Sequence, residues 1–332
     1  MSIVSSNLAP QLFRLTPLEQ LHTLLFTVPN TDETIILPTW EEPVPTSHLQ
    51  AKNQYQSPDP NNPAWGIGGA LLVWIASIGL IVLMPVFFLL PYAWAKGFHS
   101  GMPNYAEAIT EFALTDKTAV LLQVVSLFPS HLLTLVLVWA LVTRFGKQSF
   151  WAAIGWGWPR NFPWWLSVFL GFLLFGVGAV IAKVLGGDKP TQLEQIINSS
   201  LLARYIISFL AVGTAPFVEE FVYRGVLYAP LQRLAGAPGA VVIVLALFTL
   251  IHVPQYWPNV GVIAAVALLS IVLTVVRAYS GRLLPCIVIH LVFNGIQAII
   301  LIVEPHLKPL IPSAERGAPA VSFLLSLMGS LN

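Results

Sequence analysis

Three stretches of the chain place acid, base and amide side chains inside segments that are otherwise apolar. Glu219, Glu220 and Arg224 lie in the first, His252 closes the second, and His290 and Asn294 stand four residues apart in the third. An ionisable side chain at the centre of a bilayer costs roughly 2.5–3.5 kcal/mol on insertion scales, so groups placed there are compensated by pairing or by function. Residues four apart share a helix face, so Glu220 and Arg224 can pair across one turn. Glu219, turned by about 100° from its neighbour, points elsewhere and has no cation in its own helix. Gln297 extends the face of His290 and Asn294 by one turn.

These residue types suit hydrolysis. A buried carboxylate beside a histidine can take a proton from water, which makes Glu219 with His252 a candidate general base. Hydrolysis of an amide also needs donors aimed at the oxygen that becomes negative, and the Asn294 amide with an imidazole N–H of His290 has that chemistry. Glu220 and Arg224 then read as a pair holding the first segment in register. Cys286, one turn before His290, offers a rival Cys–His nucleophile pair. A cysteine in an apolar helix, however, is usually a core residue. His131, beside Ser126, Pro129 and Ser130, reads as structural, and His99 and His306 carry no role. The glycines form no phosphate-cradling motif in a strand-loop-helix context.

The elements that must position these groups are membrane helices. The 332 residues are 56% hydrophobic and 9% charged, against roughly 25% charged in an average soluble domain. Mean hydropathy is +0.76. A net charge of +1 gives no field to gather nucleic acid, so no nucleic-acid partner is expected. One cysteine excludes an internal disulfide and multi-cysteine zinc sites. The expected fold class is an all-α, polytopic transmembrane helix bundle of seven or eight spans, since about 20 apolar residues cross a hydrocarbon core. Seven spans are expected at 66–90, 118–142, 163–185, 201–232, 239–252, 260–278 and 283–303, with a shorter apolar stretch at 321–331 as the candidate eighth.

Ahead of the bundle (65–332), residues 1–64 read as a polar, Pro-rich extramembrane arm. Within it Thr16-Pro17-Leu18-Glu19 has the form of a capping box with proline at the first helical position. Leu18, Leu21, Leu24, Leu25 and Val28 follow at the spacing of a short amphipathic helix. Arg144, Lys147, Arg160, Arg233, Arg277 and Arg282 fall in loops on one side if the spans alternate. The expected N-terminus is therefore cytoplasmic, and the expected location is a bacterial-type cell membrane or a related internal membrane.

Depth brings the polar groups together. Glu219 lies 14 residues before Arg233 and His252 lies 14 after Pro238, so both sit about 21 Å from the same loop. His290, eight residues after Arg282, is shallower, a difference that tilt and a snorkelling arginine could absorb. Pro216 removes a backbone hydrogen bond and is expected to kink the helix beside Glu219.

Glu219 to Arg224 (EEFVYR), Phe248 to His252, and His290 to Asn294 resemble, in order and spacing, the EExxxR, FxxxH and HxxxN motifs of one family. It comprises the CAAX prenyl proteases and bacteriocin-processing proteins (CPBP, also called Abi). The motif region spans 201–303. The resemblance implies an intramembrane endopeptidase that cleaves membrane-anchored peptide or protein substrates near the bilayer surface. It implies Glu219 as catalytic glutamate activating water with His252, His290 and Asn294 as oxyanion donors, and Glu220 and Arg224 in support. Members of the family are described both as metalloproteases and as metal-independent glutamate proteases. No HExxH motif is present, and the expectation is no cofactor; were zinc bound, its ligands would be Glu219, His252 and His290. Outside enzymes, the rivals are a membrane binding or immunity module that keeps the motifs without catalysis, and a transporter with Glu219 on a proton path.

Overall fold

The computed structural model describes residues 58–186 and 189–307. Contacts divide the chain into Met1–Gln56 and Ser57–Asn332, and the described residues belong to the second unit. The helix expected from Thr16 and the stretch 321–331 lie outside the described residues.

These residues form helices joined by short turns: α1 (Ile67–Ala95), α2 (Tyr105–Thr115), α3 (Lys117–Val125), α4 (Leu127–Thr143), the single turn α5 (Phe150–Ala153), α6 (Trp164–Leu185), α7 (Gln192–Ser199), α8 (Leu201–Gly213) and α9 (Ala215–Glu220). A π-helical turn, Phe221–Leu227, leads into α10 (Tyr228–Tyr256), α11 (Val260–Ser280) and α12 (Leu284–Leu307). Local chemistry sets the starts. Asp116 accepts the N–H groups of Thr118 and Ala119, both at 2.9 Å, to begin α3, and Thr191 with Glu194 closes a capping box on α7. Asn259 caps α11 through the N–H of Val262.

Six helical segments are long and apolar enough to cross a membrane. Large side chains such as Leu72, Phe87, Phe172 and Val184 are exposed on them, which suits a surface solvated by lipid. The expected spans at 201–232 and 239–252 run together as one of the six, Leu201–Tyr256, of 56 residues. Straight, it would be about 84 Å long. It is not straight: Gly236 (φ 70°, ψ 172°) breaks the helix, and Phe248 returns to lie 5.0 Å, centroid to centroid, from Tyr223. The left-handed φ explains a glycine at this turn.

Two expectations are corrected. Pro216 does not kink a continuous helix: the helix ends at Thr214 (φ −129°, ψ −45°), and Pro216 sits in the first turn of the next one, where its missing N–H costs nothing. Arg277 is not a loop cation. It is completely buried, donating to the carbonyls of Arg224 (3.0 Å) and Pro60 (3.1 Å) and to Asn61 Oδ1 (2.8 Å). Arg233 grips the same stretch through Asn62, Pro63 and Trp65, so residues 60–65 are fastened to the bundle.

Candidate active site

Every residue from Glu220 to Leu231 is buried, and the largest core cluster gathers around this segment, with Tyr223, Leu227, Tyr228, Phe248 and Ile287. The tightness is visible at Gly225, where a Cβ would lie 2.6 Å from Ile154 Cδ1. α12 is held against α6 by Gly171, whose Cβ position is 2.6 Å from Val292 Cβ. Small residues allow this close approach of membrane helices.

On that frame the three motif segments converge. His252 Nε2 lies 3.9 Å from Glu219 Oε1, and His290 Nε2 lies 3.8 Å from Glu219 Oε2. These separations exceed hydrogen-bond length; a water about 2.8 Å from the carboxylate and both nitrogens could sit over the corner. The other ring nitrogens are committed. His252 Nδ1 is 2.6 Å from the Phe248 carbonyl; a carbonyl only accepts, so Nδ1 carries the proton and Nε2 is the acceptor of the neutral ring. His290 Nδ1 is 2.9 Å from Glu220 Oε1. His290 reaches the depth of Glu219 because the α11–α12 turn is recessed: Leu283 is buried and donates to the Gly155 carbonyl.

Glu220 and Arg224 form the expected i,i+4 pair, 3.0 Å apart and fully buried. The guanidinium also donates to Ser270 O and Oγ at 3.0 Å and to Thr274 Oγ1 at 3.3 Å, and it stands 4.8 Å from the centre of the Phe248 ring. Phe248 thus packs against both Arg224 and His252, whose ring centroid is 4.5 Å away. Asn294, one turn beyond His290, donates from Nδ2 to the Ala211 carbonyl at 2.9 Å. The break at Thr214 ends the regular helix at that point, so this amide braces the broken segment as well as facing the cavity.

Glu219, His252, His290, Asn294 and Gln297 line one cavity of about 590 Å³ between the helices. Its wall is otherwise mostly apolar, with Ile78, Leu127, Leu210 and Leu269 among the lining residues. Glu219 keeps 23% of its side chain exposed, His252 12% and His290 3%. The sequence reading did not place His131 here; it lines the same cavity, and nothing in its local sequence marks that. Cys286 is absent from the cavity wall: it is fully buried, with Sγ 3.3 Å from the Leu273 carbonyl. Among the described residues no three His, Cys, Asp or Glu side chains converge on a point that would hold a metal ion. Glu219, His252 and His290 share a corner without forming such a group.

Residues 200–296 match a protein-family model described as Rce1-like, type II CAAX prenyl endopeptidase Rce1-like. The matched stretch holds all three motifs and all the residues of the corner, in agreement with the resemblance read from the sequence. With its apolar helices, the protein is an integral, multi-pass membrane protein carrying a CAAX-protease-like region. No curated protein and no solved structure matches the chain.

Proposed function

We propose that the protein is an intramembrane endopeptidase that hydrolyses peptide bonds of membrane-anchored peptides or proteins with water activated by Glu219 and His252. The observation that carries this is the position of the Glu219 carboxylate, 3.9 Å from His252 Nε2 and 3.8 Å from His290 Nε2, at the wall of a cavity inside an apolar bundle. Glu219 takes a proton from water as the water oxygen adds to the scissile carbonyl, and returns that proton to the leaving amine. His252, its Nδ1–H held by Phe248, is oriented to accept the second hydrogen of the water. With Nδ1–H of His290 held by Glu220, Nε2 presents a proton only as the imidazolium, so His290 stabilises the oxyanion in that form. The remaining Asn294 N–H is the second donor.

We read the reaction as metal-independent and the N-terminus as cytoplasmic. The turn at Gly236 supports two passes within 201–256 and hence seven in all. The test is cleavage of a membrane-anchored peptide library by the purified protein in detergent, comparing wild type with Glu219→Gln, each with and without a strong zinc chelator. Cleavage that resists the chelator and disappears in Glu219→Gln supports the reading. Loss with the chelator and rescue by zinc would make Glu219, His252 and His290 ligands, and no cleavage of any peptide would point to a binding or immunity module.

A further inference from the structure

The chemistry at Glu219 leaves a third imidazole of the cavity wall unused. His131, on α4, is 8% exposed and lines the cavity. Its Nδ1 lies 2.7 Å from Thr214 Oγ1, while its Nε2 has no hydrogen-bond partner among the described residues. This nitrogen is not sealed inside the protein, so a group entering the cavity can reach it. The Thr214 hydroxyl is closer to His131 than to its alternative acceptor, the Leu210 carbonyl at 3.3 Å. Assigning its proton to Nδ1 leaves the ring's own proton on Nε2, as a donor into the cavity.

Position along the helix says what this donor would meet. Thr214 stands five residues before Glu219, so the two levels differ by about 7.5 Å along the axis. An extended peptide covers about 3.3 Å per residue, so a chain held at Glu219 passes His131 about two residues from the bond that is cut. The wall around this point, with Val124, Leu127, Ile207 and Leu210, is apolar. A peptide drawn into it loses water from its backbone carbonyls and needs donors in return. We propose that His131 is a substrate-binding residue whose Nε2–H, oriented by Thr214, hydrogen-bonds a backbone carbonyl oxygen of the peptide about two residues from the scissile bond. The inference rests on the peptidase reading for the identity of its ligand.

The test measures binding, so it does not need turnover. The probe is a palmitoylated, fluorescein-labelled dodecapeptide in nanodiscs, titrated with the full chain carrying Glu219→Gln. A second set of probes replaces one amide at a time by an E-alkene, which removes the carbonyl oxygen without adding charge. His131→Asn keeps a polar atom where Nδ1 meets Thr214 and deletes Nε2; His131→Gln keeps a donor near Nε2. The expected result is about tenfold weaker binding for His131→Asn, the loss of one hydrogen bond, with His131→Gln restoring most of it. At one alkene position the protein with His131 intact and the His131→Asn variant should bind equally, because the shared bond is already absent. Equal weakening at every position, no effect of His131→Asn, or no saturable binding to the protein with His131 intact would each overturn the proposal. Cleavage of the parent peptide by the protein with Glu219 intact is scored separately: position-specific binding without cleavage would refute the peptidase while His131 keeps its assignment.

Discussion

Glu220 Oε1 lies 2.9 Å from His290 Nδ1, and the same oxygen lies 3.0 Å from Arg224 Nη1. The two adjacent glutamates thus flank one imidazole, Glu220 bonded at Nδ1 and Glu219 standing 3.8 Å from Nε2, beyond hydrogen-bond length. Glu220 is buried behind the ring and does not line the cavity, which separates its role from that of Glu219. Replacing Glu219 by Gln removes the proton acceptor and should lower kcat by about 10²–10⁴-fold. Glu220→Gln should lower kcat by about 10–100-fold, as for groups that orient a functional histidine, with KM nearly unchanged because the wall stays intact. Steady-state kinetics on an anchored peptide distinguishes the two; equal losses from both variants would contradict the division of labour.

Asn294 has a double duty that can be separated. Its Nδ2 donates to the Ala211 carbonyl, beside the break that starts α9 and positions Glu219. Asn294→Ala should reduce kcat by about 10²–10³-fold, as for loss of one oxyanion donor. Asn294→Gln, which keeps the amide on a longer stem, should recover thermal stability without recovering kcat. Melting curves in detergent beside kinetics would show this, and a variant that melts like wild type yet cleaves at the wild-type rate would remove Asn294 from the chemistry.

Much of this corner was legible because it is written in i,i+4 spacing: Glu220 with Arg224, Phe248 with His252 and His290 with Asn294 each share a face whatever the bundle does. Counting residues from the loop between them also brought Glu219 and His252 to one depth, since Glu219 lies 14 residues before Arg233 and His252 lies 14 after Pro238. Contacts between distant elements were not legible. The His290–Glu220 bond depends on the recessed α11–α12 turn, and the π-helical turn has no marker in its residues. His131 joins the cavity only because α4 packs near Thr214. Arg277 was misplaced because its acceptors are backbone carbonyls and an asparagine, whereas an acidic partner would have shown in the sequence.

Arg277 connects the stretch at Pro60 and Asn61 to the carbonyl of Arg224, and through Arg224 and Glu220 to His290. A buried guanidinium held by carbonyl and amide oxygens fixes geometry more than it adds stability. Asn61→Ala removes one acceptor at an exposed residue and should reduce kcat severalfold with KM unchanged. Arg277→Lys, which cannot span the three acceptors, should reduce it further. Removing residues 1–56 leaves these contacts in place and should not reproduce the effect; a loss of kcat from that truncation equal to the loss in Asn61→Ala would show that the junction is not what positions the site.

The approach of α6 to α12 at Gly171 makes the strongest packing prediction. A methyl group at Gly171 would meet Val292 Cβ at 2.6 Å, Val292 Cγ1 at 2.7 Å and the Ile289 carbonyl at 3.0 Å, and Ile289 and Val292 flank the position of His290. Overpacking of this kind costs about 1–3 kcal/mol, and it would push α12 outward, withdrawing His290 from Glu219. Gly171→Ala should therefore lower both the melting temperature and kcat. Val292→Gly removes both of these Val292 atoms; on its own it should cost about 1 kcal/mol of helix stability, and combined with Gly171→Ala it should restore most of the kcat, because the inserted methyl then occupies the space vacated. The carbonyl of Ile289 stays in the way, so recovery should be incomplete. A double variant no better than Gly171→Ala alone would mean that backbone crowding at Ile289, and not the Val292 side chain, sets the distance between these helices.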